Sequence, residues 1–177
     1  MNKEKLRQII RERKETFSET EKKRASEAVL KLLEEQPFFQ QAARVMLYWS
    51  LPDEVFTHDF IEKWASEKTI LLPGIENDCI VPRVFHSKND LQKGLFGIAE
   101  PVGQPFSDKI DLVVAPALAF DKNRHRLGRG KGFYDRFFAN YDGIKCGIAW
   151  DFQLVDALCH ETHDVPIDYV VAGGDIY

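Results

Sequence analysis

Four short apolar runs, set apart by helical patterns and long connections, restrict the fold of this chain more than any other feature. Ala43–Trp49, Asp111–Ala115, Ile144–Trp150 and Tyr169–Ala172 are β-favouring and apolar over consecutive positions rather than alternate ones. Strands of that kind must be covered on both faces, as in a parallel sheet held between outer layers. Residues 2–15 read as a charged helix with Leu6, Ile9, Ile10 and Phe17 on its apolar side. A second helix is predicted to start at Ser18, because Ser18 and Glu21 form an S-x-x-E capping box. Ala25, Ala28, Val29, Leu32 and Leu33 then recur at helical spacing, and Pro37 is expected to end the helix.

Further along, Phe60, Ile61 and Trp64 mark the inner side of a helix over about Thr57–Glu67. Thr69–Leu72 reads as a short strand ended by Pro73-Gly74, and Cys79–Phe85 as a strand that Pro82 confines to an edge. Residues 86–108 read as loop, with a short segment around Gly94–Ala99, and Phe133–Asn140 as the last helix. Strands alternating with helices predict one α/β domain over residues 1–177: a three-layer sandwich with a mainly parallel central sheet flanked by helices.

The charge balance narrows the function classes. A net charge of −4 lacks the basic excess that broad nucleic-acid binding requires, so no nucleic-acid partner is expected. The three cysteines form no CxxC pair, which suits a reducing compartment. The first residues carry charge and no apolar segment, and no run reaches the length of a membrane helix. A cytoplasmic monomer acting on a small molecule, without a membrane partner, is expected.

The chemistry concentrates in Pro116–Asp135, between a buried strand and a helix, where open α/β sheets gather ligands. Gly128, Gly130 and Gly132 alternate with Arg129 and Lys131, and Arg126 precedes them. Glycines let backbone N–H groups turn toward an anion, and the next helix adds its own free N–H groups. Arg supplies a planar fork and Lys a mobile point charge. The spacing matches neither the P-loop nor the dinucleotide fingerprint. Asp135 suits either a helix-start carboxylate or a magnesium ligand. His160-Glu-Thr-His163 lacks the H-E-x-x-H spacing of a zinc site, and Cys159 reads as a buried thiol.

The string Ala119-Phe120-Asp121-x4-Arg126-Leu127-Gly128-x-Gly130-x-Gly132-Phe133-Tyr134-Asp135 resembles the signature of the 5-formyltetrahydrofolate cyclo-ligase family, and the likeness extends over nearly the whole chain. Lys3-x-x-Leu6-Arg7, Tyr48-Trp49-Ser50-x3-Glu54 and His163-Asp164-Val165-Pro166 are similar to three further family segments in the same order. The family's pattern has a glycine where this chain has Arg124, and a second tyrosine where it has Phe133.

The resemblance implies the CoA-transferase-like fold and an ATP- and magnesium-dependent ring closure of 5-formyltetrahydrofolate to 5,10-methenyltetrahydrofolate. It implies ATP held by Lys3, Arg7, Arg126, Gly128, Arg129, Gly130, Lys131, Gly132 and Tyr134. Reduced folate would be held by Trp49, Glu54, Arg129, Phe133 and Tyr134, and magnesium by Asp135 and Asp164. Arg126, Arg129 and Lys131 would be the catalytic cations. Two other readings use the same loop: a sugar-phosphate isomerase that consumes no ATP, and a module that binds a phosphate without catalysis.

Overall fold

A computed structural model describes residues 2–94, 97–162 and 164–177. The capping box is present, with Ser18 and Glu21 each accepting from the other's backbone N–H, and it starts the second helix. The helices are α1 (Lys3–Thr16), α2 (Glu19–Glu34), α3 (Pro37–Gln41), α4 (His58–Trp64) and α5 (Phe133–Phe138). Pro37 does not simply end α2. It occupies the first turn of α3, where its missing N–H costs nothing.

Seven strands form the main sheet: β1 (Arg44–Met46), β2 (Thr69–Glu76), β3 (Cys79–Val84), β6 (Leu112–Ala115), β9 (Ile144–Ile148), β11 (Tyr169–Ala172) and β12 (Asp175–Ile176). Their order is β12-β11-β9-β6-β1-β2-β3. The five inner strands run parallel, and β12 and β3 are antiparallel edges. Successive residues of the inner strands enter opposite cores, as the two-residue strand period requires. Val45, Ile70, Leu72, Leu112 and Val114 pack with α2, α3 and α4, whereas Met46, Leu71, Val113 and Ala115 pack with Phe138 of α5. The three-layer expectation therefore holds.

Two small sheets add to this frame: β4 (Leu91–Lys93) with β5 (Ala99–Pro101), and β7 (Ala119–Asp121) between β8 (Arg126–Leu127) and β10 (Leu154–Val155). Helix α1 packs Leu6 and Ile10 on Leu118, Ala119, Leu127 and Leu158 beside the second of them. The short segment expected around Gly94–Ala99 falls partly outside the described residues, at Leu95 and Phe96.

Further expectations needed correction. Residues 86–108, expected as loop, carry the β4–β5 pair. The β2 strand does not stop at Pro73-Gly74 but runs on to Glu76. Pro73 stands opposite Pro82 on β3, so neither missing N–H interrupts the ladder. Asn77 and Asp78, at φ of 48° and 60°, close this hairpin as a two-residue turn of the primed type. The stretch after β6 is not only loop but carries the β7–β8 hairpin. Arg124 lies in that hairpin's turn at φ 67°, a left-handed conformation that favours glycine. The turn survives the substitution, with the Arg124 N–H donating to the Asp121 carbonyl at 2.9 Å.

Strand β1 lies inside the sheet, between β6 and β2. The chain winds one way to β2 and the other way to β6, β9 and β11, so the order reverses between β1 and β6. A crevice is expected at the carboxyl ends of those two strands.

Candidate active site

A cavity of about 660 Å³ opens at that reversal. Tyr48, Trp49, Leu51 and Glu54 enter it from the segment after β1, and Pro116 and Ala117 from the end of β6. The glycine-rich loop, Lys3 and Arg7 of α1, Glu161 with Asp164, and Glu100 add to its charged lining, while Pro73, Ile75, Ile80 and Ile98 are apolar. All of the site residues named from the sequence line this one cavity: Lys3, Arg7, Trp49, Glu54, Arg126, Gly128, Arg129, Gly130, Lys131, Gly132, Phe133, Tyr134, Asp135 and Asp164.

The loop after β1 is fixed by two buried hydroxyls, Ser50 of the Tyr48-Trp49-Ser50 segment and Thr57, which no motif in the sequence points to. The Ser50 N–H donates to Thr57 Oγ1 at 3.2 Å, and the Thr57 N–H to Ser50 Oγ at 3.1 Å. Thr57 Oγ1 in turn donates to the Tyr48 carbonyl at 2.5 Å. Inside this clamp Glu54 accepts from the Leu51 N–H through Oε2 at 3.0 Å. Its other oxygen, Oε1, meets Arg129 Nη2 at 3.0 Å, and the same nitrogen reaches Asp53 Oδ1 at 2.7 Å. Burial opposes charging Arg129, but the Asp53 and Glu54 carboxylates outweigh it and hold the guanidinium above its usual range. Trp49 stacks on His58 with ring centroids 3.8 Å apart. Burial lowers the His58 pKa, and its Nε2 lies 3.0 Å from the Ser50 carbonyl.

The glycine-rich loop is shaped by close approach. A Cβ on Gly128 would lie 2.9 Å from the Arg126 guanidinium, and Gly130 and Gly132 have φ of 104° and 68°. Arg126, with its side chain 4% exposed, pairs with Asp135 at 2.9 Å, and its guanidinium lies 5.4 Å from the Tyr134 ring centroid. Among the described residues, the buried polar atoms without a partner are Trp64 Nε1, Arg126 Nε and the Tyr134 hydroxyl. Two of these three belong to cavity residues. Burial and the nearby Glu54 charge push the Tyr134 phenol well above its ordinary pKa. Arg136 fastens the loop from outside, donating to the Lys131 carbonyl at 2.9 Å and to the Asp78 carbonyl of the β2–β3 hairpin at 2.7 Å.

Helix α1 reaches over the same loop. Arg7 Nε donates to the Gly128 carbonyl at 3.1 Å. Lys3 Nζ lies 2.7 Å from Asp164 and 3.1 Å from Glu161. Burial disfavours the Lys3 charge, but those two carboxylates prevail and raise its pKa. Asp135 and Asp164 thus both face the cavity, and each carboxylate is paired with a cation of the site. Among the described residues no three His, Cys, Asp or Glu side chains converge as a metal cluster, and His163 lies outside them. Cys159 is exposed rather than buried. No helix of the described residues is long and apolar enough to cross a membrane.

A mainly parallel α/β sheet with an arginine-lined glycine loop and a clamped carboxylate at its switch point defines an anion-handling enzyme site. Comparison with known proteins identifies the family. The profile of the 5-formyltetrahydrofolate cyclo-ligase family matches residues 1–173. The 5,10-methenyltetrahydrofolate synthetase of Aquifex aeolicus superposes with a TM-score of 0.90 at 34% identity, covering 99% of this chain and 92% of that one. The synthetase of Mycoplasma pneumoniae gives a TM-score of 0.73 at 25% identity, covering 97% and 98%. The 5-formyltetrahydrofolate cyclo-ligase of Haemophilus influenzae is 29% identical over 98% of this chain and all of its own length. The chain belongs to the 5-formyltetrahydrofolate cyclo-ligase family. It is a ligase of folate metabolism, closing 5-formyltetrahydrofolate to 5,10-methenyltetrahydrofolate with use of ATP.

Proposed function

We propose that the cavity between β1 and β6 performs this ring closure, with ATP on the glycine-rich loop and the folate against Trp49 and Glu54. The convergence of Arg126, Arg129 and Lys131 with Glu54 in one cavity carries the reading. The formamide carbonyl of the substrate is a poor electrophile, and its oxygen leaves poorly. Passing the γ-phosphoryl group to that oxygen makes it a phosphate ester. The second folate nitrogen then attacks the former carbonyl carbon, and inorganic phosphate departs.

The chain's part in this reaction is positioning and charge neutralisation, as in phosphoryl transfer generally. Arg126, Arg129 and Lys131 surround the phosphates, and Gly128, Gly130 and Gly132 let the backbone approach them. Lys3 and Arg7 hold the nucleotide from α1. Glu54 accepts paired hydrogen bonds from the donor-rich edge of the pterin. Trp49, Phe133 and Tyr134 offer ring faces to the folate. The partnerless Arg126 Nε and Tyr134 hydroxyl are donors that substrate oxygens can satisfy.

Asp135 and Asp164 supply the oxygen-only, few-ligand donor set that suits magnesium beside phosphate oxygens. A magnesium ion there would withdraw charge from the transferring phosphate. Lys3 and Arg126 would exchange those carboxylates for phosphate oxygens. The chain works as one catalytic unit over residues 1–177, as a cytoplasmic monomer; sedimentation of the purified protein tests the monomeric state.

The reaction is tested by mixing protein, ATP, magnesium and 5-formyltetrahydrofolate and following the near-ultraviolet band of the methenyl product. The band should grow only with ATP present. Folded protein that binds ATP yet gives a flat trace would overturn the proposal and favour a binding module.

A further inference from the structure

Lys14 is a lysine that a charged surface helix does not account for. The residue is 3% exposed, its Nζ lies 2.5 Å from the Asp53 carbonyl and 3.4 Å from the Asp53 carboxylate, and the Trp150 ring centroid is 5.8 Å away. Burying an ammonium is costly unless it is paired, and here the partner sits on the active-site loop. Asp53 holds Lys14 with its carbonyl and Oδ2, while its Oδ1 takes Arg129 Nη2 at 2.7 Å. That nitrogen also meets Glu54 at 3.0 Å. A continuous polar chain thus runs from Lys14 through Asp53 and Arg129 to Glu54. Lys14 is on the same helix as Lys3 and Arg7, four residues beyond the buried Ile10, so one face of α1 carries all three cations.

We infer that Lys14 is a positioning residue that fixes Asp53, and through it the direction of Arg129, so that the folate loop is set by the same helix that holds the nucleotide. This inference rests on the proposed roles of Arg129 and Glu54. Without Lys14, Asp53 loses the contact that orients its carboxylate, and Arg129 loses one of the two acceptors that define its rotamer. A small misplacement of such a group has a large kinetic effect. The consequence should fall on folate binding and turnover rather than on nucleotide affinity, because Arg129 bridges to Glu54 of the folate loop, while Lys3 and Arg7 meet Asp164 and Gly128 independently of Asp53 and go on holding the nucleotide when Arg129 shifts.

The test measures steady-state kinetics for both substrates in Lys14→Met, Asp53→Asn and the double variant, with thermal unfolding of each. Lys14→Met should raise KM for 5-formyltetrahydrofolate about tenfold, a typical size for coupling between sites, and leave KM for ATP within about twofold. Its melting temperature should change little, because the Asp53 carboxylate left behind is 36% exposed and keeps Arg129 at 2.7 Å. Asp53→Asn should act in the same direction, and the double variant should be no worse than the poorer single one. A purely structural lysine would instead lower the melting temperature and raise both KM values together, and that result overturns the inference. So does an unchanged folate KM in Lys14→Met. If Lys14→Met does not fold, Asp53→Asn decides by the same split. Arg129→Ala separates the two readings. Wild-type kinetics in that variant sinks the site assignment itself, whereas an impaired Arg129→Ala beside an unaffected Lys14→Met sinks only the positioning role.

Discussion

Replacing Arg126 by methionine isolates the ion pair at the heart of the glycine-rich loop. The pair is 2.9 Å long, with side chains 4% and 18% exposed. At an effective dielectric constant of about 20, unit charges at that separation attract by roughly 6 kcal/mol. Desolvation offsets much of this, and removing one partner of a buried pair costs about 3 to 5 kcal/mol because the other charge is abandoned. Asp135 keeps some contact with water, so about 3 kcal/mol is expected. For a chain of this size each kcal/mol moves the melting temperature by about 2 to 4 °C, giving a drop of about 6 to 12 °C. Asp135→Asn in the same background removes the abandoned charge, so the double variant should melt above Arg126→Met. Circular dichroism melts without nucleotide keep ligand binding from masking the change. Losses in the two single variants that simply add in the double would show that the pair carries no coupling, and the reasoning would fail. Turnover of Arg126→Met should fall by at least about a hundredfold in addition, the usual effect of removing a donor that meets developing charge.

The other expected outcomes are simpler to read. Arg129→Ala and Lys131→Ala should each cut turnover by about a hundredfold or more; Lys131→Ala should barely change the melting temperature because Lys131 is exposed, whereas Arg129→Ala should lower it because Glu54, 9% exposed, loses its cation; near-normal turnover in both purified variants would remove the phosphate cradle. Trp49→Ala should raise KM for the folate by about tenfold through lost stacking and leave KM for ATP unchanged, and equal changes in both would place Trp49 outside the folate site. Burial lowers the Lys14 pKa below its ordinary value, with the Asp53 carboxylate opposing that shift. Between that lowered value and about 10.5 the unfolded chain holds more protons than the folded one, so this group's contribution to stability rises with pH across that window. Urea unfolding at mildly and strongly alkaline pH should therefore show any stability advantage of Lys14→Met shrinking as pH rises; a difference independent of pH would contradict the burial argument.

The inner strands and the capped helix were legible in the sequence because each is a local pattern: an unbroken apolar run such as Leu112–Ala115 needs two covers, and Ser18 with Glu21 needs only one turn of helix. The β2–β3 hairpin was not legible in full, because a proline normally ends a strand and only the register shows that Pro73 faces Pro82. The small sheet escaped notice because two- and three-residue strands such as Arg126–Leu127 and Ala119–Asp121 are too short to show a period. The candidate site divides in the same way. The glycines and cations of the loop stand together in sequence, so their chemistry can be read there. Asp53 and Lys14 are 39 residues apart, and each alone looks like a solvated charge. One signal was present: Leu6, Ile10 and Lys14 share a face at intervals of four residues, and a lysine that extends a buried stripe must find a partner inside. A charge in register with a core is therefore a better guide to a second layer of site residues than charge content, and it leads here from the helix of Lys3 and Arg7 to the loop of Glu54.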